Sequence, residues 1–224
     1  MKIVSIGSTP SAAALGAKFS QFVPGPFDEF ILDVGELYFL FIKGLNEIFH
    51  RSVTPKIGTA FTLTGDGHTK IPLLLDNMAV PLRYESCHDF YEIGLLFPAA
   101  FLTSRHQEFN TVMTSFYSLL EKKERTIFLH INKLIKTSPD IAGLSMIAGK
   151  FPSSVSFVSF QPVVANPHVP DEALPCRGKI ITVGKLFVVE IIVSRQFQDL
   201  VIGSQEKEIA LMQSILAKKF SLKL

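Results

Sequence analysis

The stretch Ile3-Val-Ser-Ile-Gly7, continued by Ser8-Thr-Pro10 and Ser11-Ala-Ala-Ala-Leu15, decides the fold class of this chain. Its opening residues form a short apolar run that predicts a strand, which Gly7 ends. A serine or threonine hydroxyl is then available to cap a helix, Pro10 suits a first helical turn, and the alanines favour helix. A strand, a tight turn and a helix in this order predict an α/β-type domain.

Length and composition narrow the class of protein. The chain has 224 residues, of which 47% are hydrophobic and 19% charged, so a disordered protein is excluded. Apolar runs such as Leu37–Ile42 and Leu186–Val193 are bounded or interrupted by charges and fall well short of the roughly 18–20 residues that span a bilayer. A net charge of +2 is too small to indicate nucleic-acid binding. Cys87 and Cys176 supply neither a disulfide framework nor a zinc quartet.

Local patterns predict the remaining elements. We expect helices over Asp33–His50, Arg105–Lys122 and Gln205–Phe220, and strands or extended segments over Lys56–Leu63, Lys70–Leu75, Met78–Phe90, Thr126–Ile131, Ser153–Phe160 and Lys179–Val193, the last interrupted at Gly184-Lys185. Thr64-Gly-Asp-Gly67 resembles a hairpin turn, and Gln161–Pro175, with four prolines, predicts a loop. The unbroken apolar run Thr126–Ile131 is typical of a buried central strand. These elements predict one domain over residues 1–224, with a central mixed sheet flanked by helices.

The sequence gives little support for a nucleotide-binding site or a metal site. Gly7 is followed by neither a G-x-G-x-x-G nor a G-K-[ST] pattern, and Pro10 removes an amide donor that a phosphate site would use. The six histidines are scattered without a zinc-ligand spacing. We therefore expect no cofactor and no metal.

Cys87-His88-Asp89 places a nucleophile, a base and a carboxylate side by side. Adjacent residues on an extended segment point to opposite faces, so Cys87 and His88 cannot act on each other as a local dyad. His88 either acts with a partner from elsewhere in the chain or is a hydrogen-bonded histidine of a partly buried loop.

Short motifs along the first part of the chain are similar to those of a known family. They are Val4-Ser-Ile-Gly-Ser-Thr-Pro-Ser-Ala-Ala13 with Gly25-Pro-Phe-Asp28, then Cys87-His-Asp-Phe90, then a helix from Arg105 followed by the strand Thr126–Ile131. In this order they resemble the papain-like cysteine peptidases catalogued as domain of unknown function 1796. The resemblance covers about residues 3–132 and implies a papain-like fold.

The resemblance also implies a degenerate site. It places a cysteine at the start of the first helix, where the positive helix end would lower the pKa of a thiol, but this chain has Pro10 there. His88 matches the histidine of the family, Asp89 the residue beside it, and Asp28 the aspartate of the P-F-D motif. The tryptophan that follows this aspartate in the family is replaced by Glu29.

We therefore expect a catalytically inactive papain-like relative that binds a protein, peptide or other ligand in the residual cleft. One alternative is an active hydrolase or transferase that uses Ser8, Ser11 or Cys87 as a substitute nucleophile. Another is an interaction or effector protein with a phenylalanine-rich surface, for which the resemblance is coincidental. In each case the expected partner is a protein or peptide rather than nucleic acid or the membrane interior. We expect a cytoplasmic protein, or a secreted effector without an N-terminal signal peptide.

Overall fold

A computed structural model describes the chain over residues 1–7, 11–28, 30–31, 34–38, 56–57, 62–63, 69–75, 78–84, 111–132, 139–164, 178–193 and 206–223. The strands are β1 Lys2–Ser5, β2 Phe30–Ile31, β3 Lys56–Ile57, β4 Thr62–Leu63, β5 Thr69–Leu75, β6 Met78–Tyr84, β7 Thr126–Ile131, β8 Val155–Val164, β9 Gly178–Val183 and β10 Leu186–Val193. The helices are α1 Ser11–Gly16, α2 Val34–Tyr38, α3 over residues 111–121, α4 Ile141–Lys150 and α5 Glu206–Phe220.

The main sheet has five strands in the order β1-β7-β8-β10-β9. Its first four strands run parallel, and β9 is added antiparallel at the β10 edge. The register sets Val4 beside Phe128 and Phe128 beside Phe157. The predicted mixed α/β architecture is therefore confirmed in these described elements.

Strand β7 occupies the interior of this sheet, between β1 and β8. All six of its residues are buried, which explains why the run Thr126–Ile131 is largely apolar on both faces. The predicted buried strand is confirmed at these bounds.

Helices cover both faces of the main sheet. We call the side covered by α2, α3 and α4 the α4 face; its core includes Leu37, Phe116, Phe128, Ile147 and Phe157. The opposite side, covered by α1 and α5, is the α5 face; its core includes Ile3, Leu15, Leu129, Phe160 and Met212. Two apolar faces on one sheet give three layers, with the sheet in the middle.

A second, smaller sheet contains β2-β6-β5-β3, with β4 also paired to β5. Its pairs are antiparallel, and Thr62 lies opposite Lys70 across the segment that contains the predicted hairpin turn. The described parts of the predicted extended segments Lys56–Leu63, Lys70–Leu75 and Met78–Phe90 form these strands, and their other residues lie outside the described ranges.

Three elements differ from the predictions. The short strand β2, Phe30–Ile31, has no predicted counterpart. The helix α4 has no predicted counterpart, because Gly143 and Gly149 lower its helix propensity, whereas Asp140 caps its first turn through the amide of Gly143. The predicted loop from Gln161 is wrong at its start, because β8 continues to Val164. Pro162 lies past the last pair between β7 and β8, Ile131 with Phe160, so its missing amide proton is not needed in the described β7–β8 ladder.

The other described helices and strands agree with the predicted ones. The interruption at Gly184-Lys185 separates β9 from β10, and α5 begins one residue after the predicted helix start. Among the described helices, none is long and apolar enough to cross a bilayer.

Candidate functional site

On the α4 face, a band of polar side chains crosses the parallel strands β7, β8 and β10 beyond the apolar core. The alternation of side chains places Phe128, Val155, Phe157, Leu186 and Val188 on the amino-end side of this band, and the band itself contains His130, Asn132, Ser159, Gln161 and Glu190. The apolar Val163 and Ile192 follow it on the same face of β8 and β10. We call this band the polar row. All of its members except Glu190 are buried.

Hydrogen bonds join the polar row across β7 and β8. Asn132 donates from Nδ2 to Oε1 of Gln161 at 2.9 Å, and Gln161 donates from Nε2 to Oγ of Ser159 at 2.6 Å. The same Oγ lies 2.8 Å from Nδ1 of His130. Both cross-strand pairs are separated by 29 residues, as the parallel register requires.

Ser159 is shared by two neighbouring side chains of the row. Its Oγ accepts a hydrogen bond from the Gln161 amide and forms a second hydrogen bond with Nδ1 of His130. The His130 ring also contacts Phe157, with 6.3 Å between the centroids.

The polar row reaches the surface at Glu190. Glu190 lies beside Gln161 of β8 and opposite Lys179 of β9. Its carboxylate Oε2 is 4.0 Å from Nζ of Lys179, and the side chains are 21% and 72% exposed respectively. An exposed ammonium at this distance holds the carboxylate weakly, so Lys179 can leave it at little cost.

A different group of residues surrounds the carboxyl end of β1. Gly7 follows the strand with a φ of 106°, a conformation that favours glycine. Gly25 packs so closely on the strand that a Cβ there would overlap the carbonyl oxygen of Ser5. Asp28 accepts a hydrogen bond at Oδ2 from the amide of Gly25 at 2.8 Å, and its own amide donates to the Gly25 carbonyl at 3.3 Å. The motif Gly25-Pro-Phe-Asp28 is therefore a turn held against the end of β1.

Ser5 is the polar side chain of β1 at this edge. It is fully buried, and within the described part of the chain its Oγ makes no hydrogen bond. By alternation with Val4 of the α4-face core, its side chain lies on the α5 face, away from the polar row.

Of the predicted site residues, the structure describes Asp28 alone. Pro10, His88 and Asp89 lie outside the described residues, as do Ser8 and Cys87. Helix α1 begins at Ser11, directly after Pro10, as the strand–turn–helix pattern predicts. The approach of Pro10 to His88 remains a prediction of the resemblance.

The polar row was not predicted as a site. His130 was one of six scattered histidines in the sequence, and Ser159 lay within an alternating strand. The available signal was local: His130 and Asn132 interrupt one apolar strand at a spacing of two, and Ser159 and Gln161 interrupt another. Only the parallel register shows that the two interruptions meet.

In the ranges that the structure describes, no group of three or more histidine, cysteine, aspartate or glutamate side chains could hold a metal ion. The chain matches no protein-family model, no curated protein and no solved structure.

Proposed function

We propose that this chain is a catalytically inactive relative of the papain-like cysteine peptidases, and that it binds a peptide segment of a partner protein at the polar row. The observation that carries the proposal is the band of polar side chains that crosses β7, β8 and β10 beyond the apolar core of the α4 face. In sheets of parallel strands flanked by helices, ligands bind outside the carboxyl ends of the strands.

The energetics of the polar row support a role beyond packing. A buried polar group without a partner costs about 1–3 kcal/mol, and even a paired one contributes only about 1 kcal/mol net. Apolar side chains at His130, Ser159 and Gln161 would continue the core of the α4 face without this risk. Polar groups kept at such a cost cluster at functional sites.

The chemistry of the row suits a peptide. Asn132 and Gln161 are buried and hydrogen-bond each other, so their amides hold the two strands together beneath the site and do not themselves reach a ligand. Glu190, at the exposed end of the row, offers a carboxylate to an N-terminal ammonium or a basic side chain once Lys179 moves aside. A short segment with a positive end would therefore pair with the row at Glu190.

The absence of peptidase chemistry rests on Pro10. A proline side chain has no nucleophilic atom, and proline lacks the amide proton that an oxyanion would need.

Binding is tested with a pool of random hexapeptides that have free N-termini and a fluorophore at the C-terminus. Fluorescence anisotropy should show binding by the wild-type chain, and Glu190→Gln should weaken it about tenfold, because a charged hydrogen bond is replaced by a neutral one. Glu124→Gln removes an exposed carboxylate elsewhere and should leave the affinity unchanged. No binding by the wild-type chain, or equal losses in both variants, would contradict the proposal.

Inactivity is tested separately with thiol- and serine-directed activity probes. The wild-type chain should remain unlabelled and should leave the peptide pool uncut. Labelling that disappears in Cys87→Ala, Ser8→Ala or Ser11→Ala would overturn the inactive assignment in favour of a substitute nucleophile.

A further inference from the structure

Strand β9 forms the outer edge of the main sheet and is exposed along its length. Every residue of the strand except Ile181 is exposed, and Ile181 is half-buried. In the described part of the chain, its backbone pairs only with β10, from Gly178 beside Ile191 to Val183 beside Leu186. The outward N–H and C=O groups of β9 are therefore open to another strand.

Of the devices that usually block such an edge, β9 has a single lysine. The strand contains no proline, and its ladder with β10 is regular over six residues, without a bulge. Its one charge, Lys179, lies 4.0 Å from Glu190 of the same chain. A pairing with a second edge must therefore keep Lys179 away from the lysines of its partner.

Exposed apolar side chains are concentrated at this edge. The large apolar residues that are most exposed in the described ranges are Met1, Met146, Ile180, Val183 and Ile192, and three of these lie on β9 or its neighbour β10. Ile180 lies on the α5 face, whereas Val183 and Ile192 lie on the α4 face. Both faces of the edge thus present apolar surface to a partner.

We propose that β9 pairs with β9 of a second copy of this chain, antiparallel about a twofold axis, with Ile181 opposite its own symmetry mate. A twofold axis perpendicular to the sheet keeps each side chain on its own face, and directly opposite residues share a face. Two residues that face each other across the axis must therefore have numbers that differ by an even number. It follows that one residue of β9 lies at the axis and faces the same residue of the second copy.

The positions of the lysines and of the exposed apolar residues decide which residue of β9 lies at the twofold axis. Centring on Thr182 sets Lys179 opposite the partner's Lys185, which is unfavourable. Centring on Ile180 leaves the exposed Val183 beyond the end of the paired strand. Centring on Ile181 sets Lys179 opposite the partner's Val183 and Ile180 opposite the partner's Thr182, so the two lysines are well separated and both exposed apolar residues gain a neighbour.

The surface area buried by the β9 pairing sets the expected affinity of the dimer. A pairing of one short strand falls below the roughly 1,200 Å² of total buried surface that is typical of stable complexes. We expect a reversible dimer with a dissociation constant in the micromolar range, on the order of 1–100 μM.

Sedimentation velocity over about three decades of concentration tests the pairing. Val183→Lys places like charges opposite each other twice per dimer and should weaken the dimer about two- to thirtyfold, whereas Val183→Glu should tighten it by a similar factor by facing the partner's Lys179. Met146→Lys makes the same exchange at an exposed position on α4 and should leave the dissociation constant unchanged.

A wild-type chain that is monomeric at every concentration overturns the proposal. So does a Val183→Glu variant that weakens the dimer, because the register is then wrong, or an equal loss in Met146→Lys, because the contact then lies elsewhere. Thermal unfolding of the three exposed variants should match the wild type, so that changes in association are not caused by misfolding.

Discussion

The Oγ of Ser159 and the Nδ1 of His130 lie 2.8 Å apart between β8 and β7, and both side chains are fully buried. This contact marks the level of the main sheet at which the α4 face turns from aromatic to polar. Phe157, two residues before Ser159, belongs to the apolar core, whereas Gln161, two residues after it, continues the hydrogen-bonded row. One hydroxyl therefore stands at the boundary between the core and the candidate binding edge.

Ser159→Ala should lower the free energy of unfolding by about 2–4 kcal/mol. The substitution removes the group that Nε2 of Gln161 and Nδ1 of His130 both contact, and buried polar atoms that lose a partner keep their full cost of desolvation. Urea unfolding followed by circular dichroism measures the change. Ser115→Ala is the control, because its exposed hydroxyl makes one local bond to the Thr111 carbonyl, and its effect should stay within about 0.5 kcal/mol. Equal effects of the two substitutions would show that the buried bonds contribute nothing.

Phe128→Ala should lower the free energy of unfolding by about 3–5 kcal/mol. Phe128 is fully buried, its ring stacks on Phe116 at 5.5 Å and it meets the edge of Phe151 at 4.9 Å, so truncation leaves a cavity in the α4-face core. Phe220→Ala is the matched control on the α5 face. Its ring is half-buried and meets Phe187 at 5.1 Å, so its loss should be clearly smaller. Chemical denaturation of both variants measures the two losses in unfolding free energy. A larger loss for Phe220→Ala than for Phe128→Ala would contradict the prediction.

Gly25→Ala should destabilise the chain by about 1–3 kcal/mol, because a Cβ there overlaps the backbone carbonyl of Ser5 and the strand or the turn must shift. The same exchange at Gly149 in α4 meets no atom within 4 Å and should stabilise the chain by about 0.5–1 kcal/mol through helix propensity. Thermal or urea unfolding of both variants gives the two signs. A neutral Gly25→Ala would mean that the turn carrying Asp28 does not rest on β1.

Lys185 makes stability depend on alkaline pH. Burial lowers the pKa of its ammonium from the ordinary 10.5, although Nζ donates to the carbonyls of Phe151 and Pro152. Between the lowered pKa and 10.5 the unfolded chain binds more protons than the folded chain, so stability rises with pH across that window. The difference in unfolding free energy between the wild type and Lys185→Met should therefore shift in favour of the wild type from about pH 7 to about pH 10. Urea titrations at both pH values measure it, and a constant or opposite difference would contradict the assignment.

Local sequence patterns predicted much of the fold. An unbroken apolar run is enough to indicate the buried strand Thr126–Ile131, and Gly184-Lys185 is enough to separate β9 from β10. The helix α4 escaped prediction because its stability comes from packing Leu144 and Ile147 into the core and from the Asp140 cap, rather than from propensity.

The candidate site could not be predicted in the same way. Its hydrogen bonds join residues that are 29 positions apart, and they exist only because β7 and β8 are parallel in one particular register. Sequence reasoning instead reached Pro10, Asp28, His88 and Asp89 through resemblance. Of these, Asp28 lies at the carboxyl end of β1, beside the turn glycine that it holds.

The most direct test of peptide binding at the polar row is a titration of the ¹⁵N-labelled chain with the hexapeptide pool, followed by nuclear magnetic resonance. The account predicts shifts of the side-chain amide signals of Asn132 and Gln161 and of the backbone amide of Glu190, at the carboxyl ends of the strands. The backbone amides of Thr126 and Val155, at the amino ends, should stay unchanged. Shifts confined to the amino ends, or none at peptide concentrations well above the micromolar range, would contradict it.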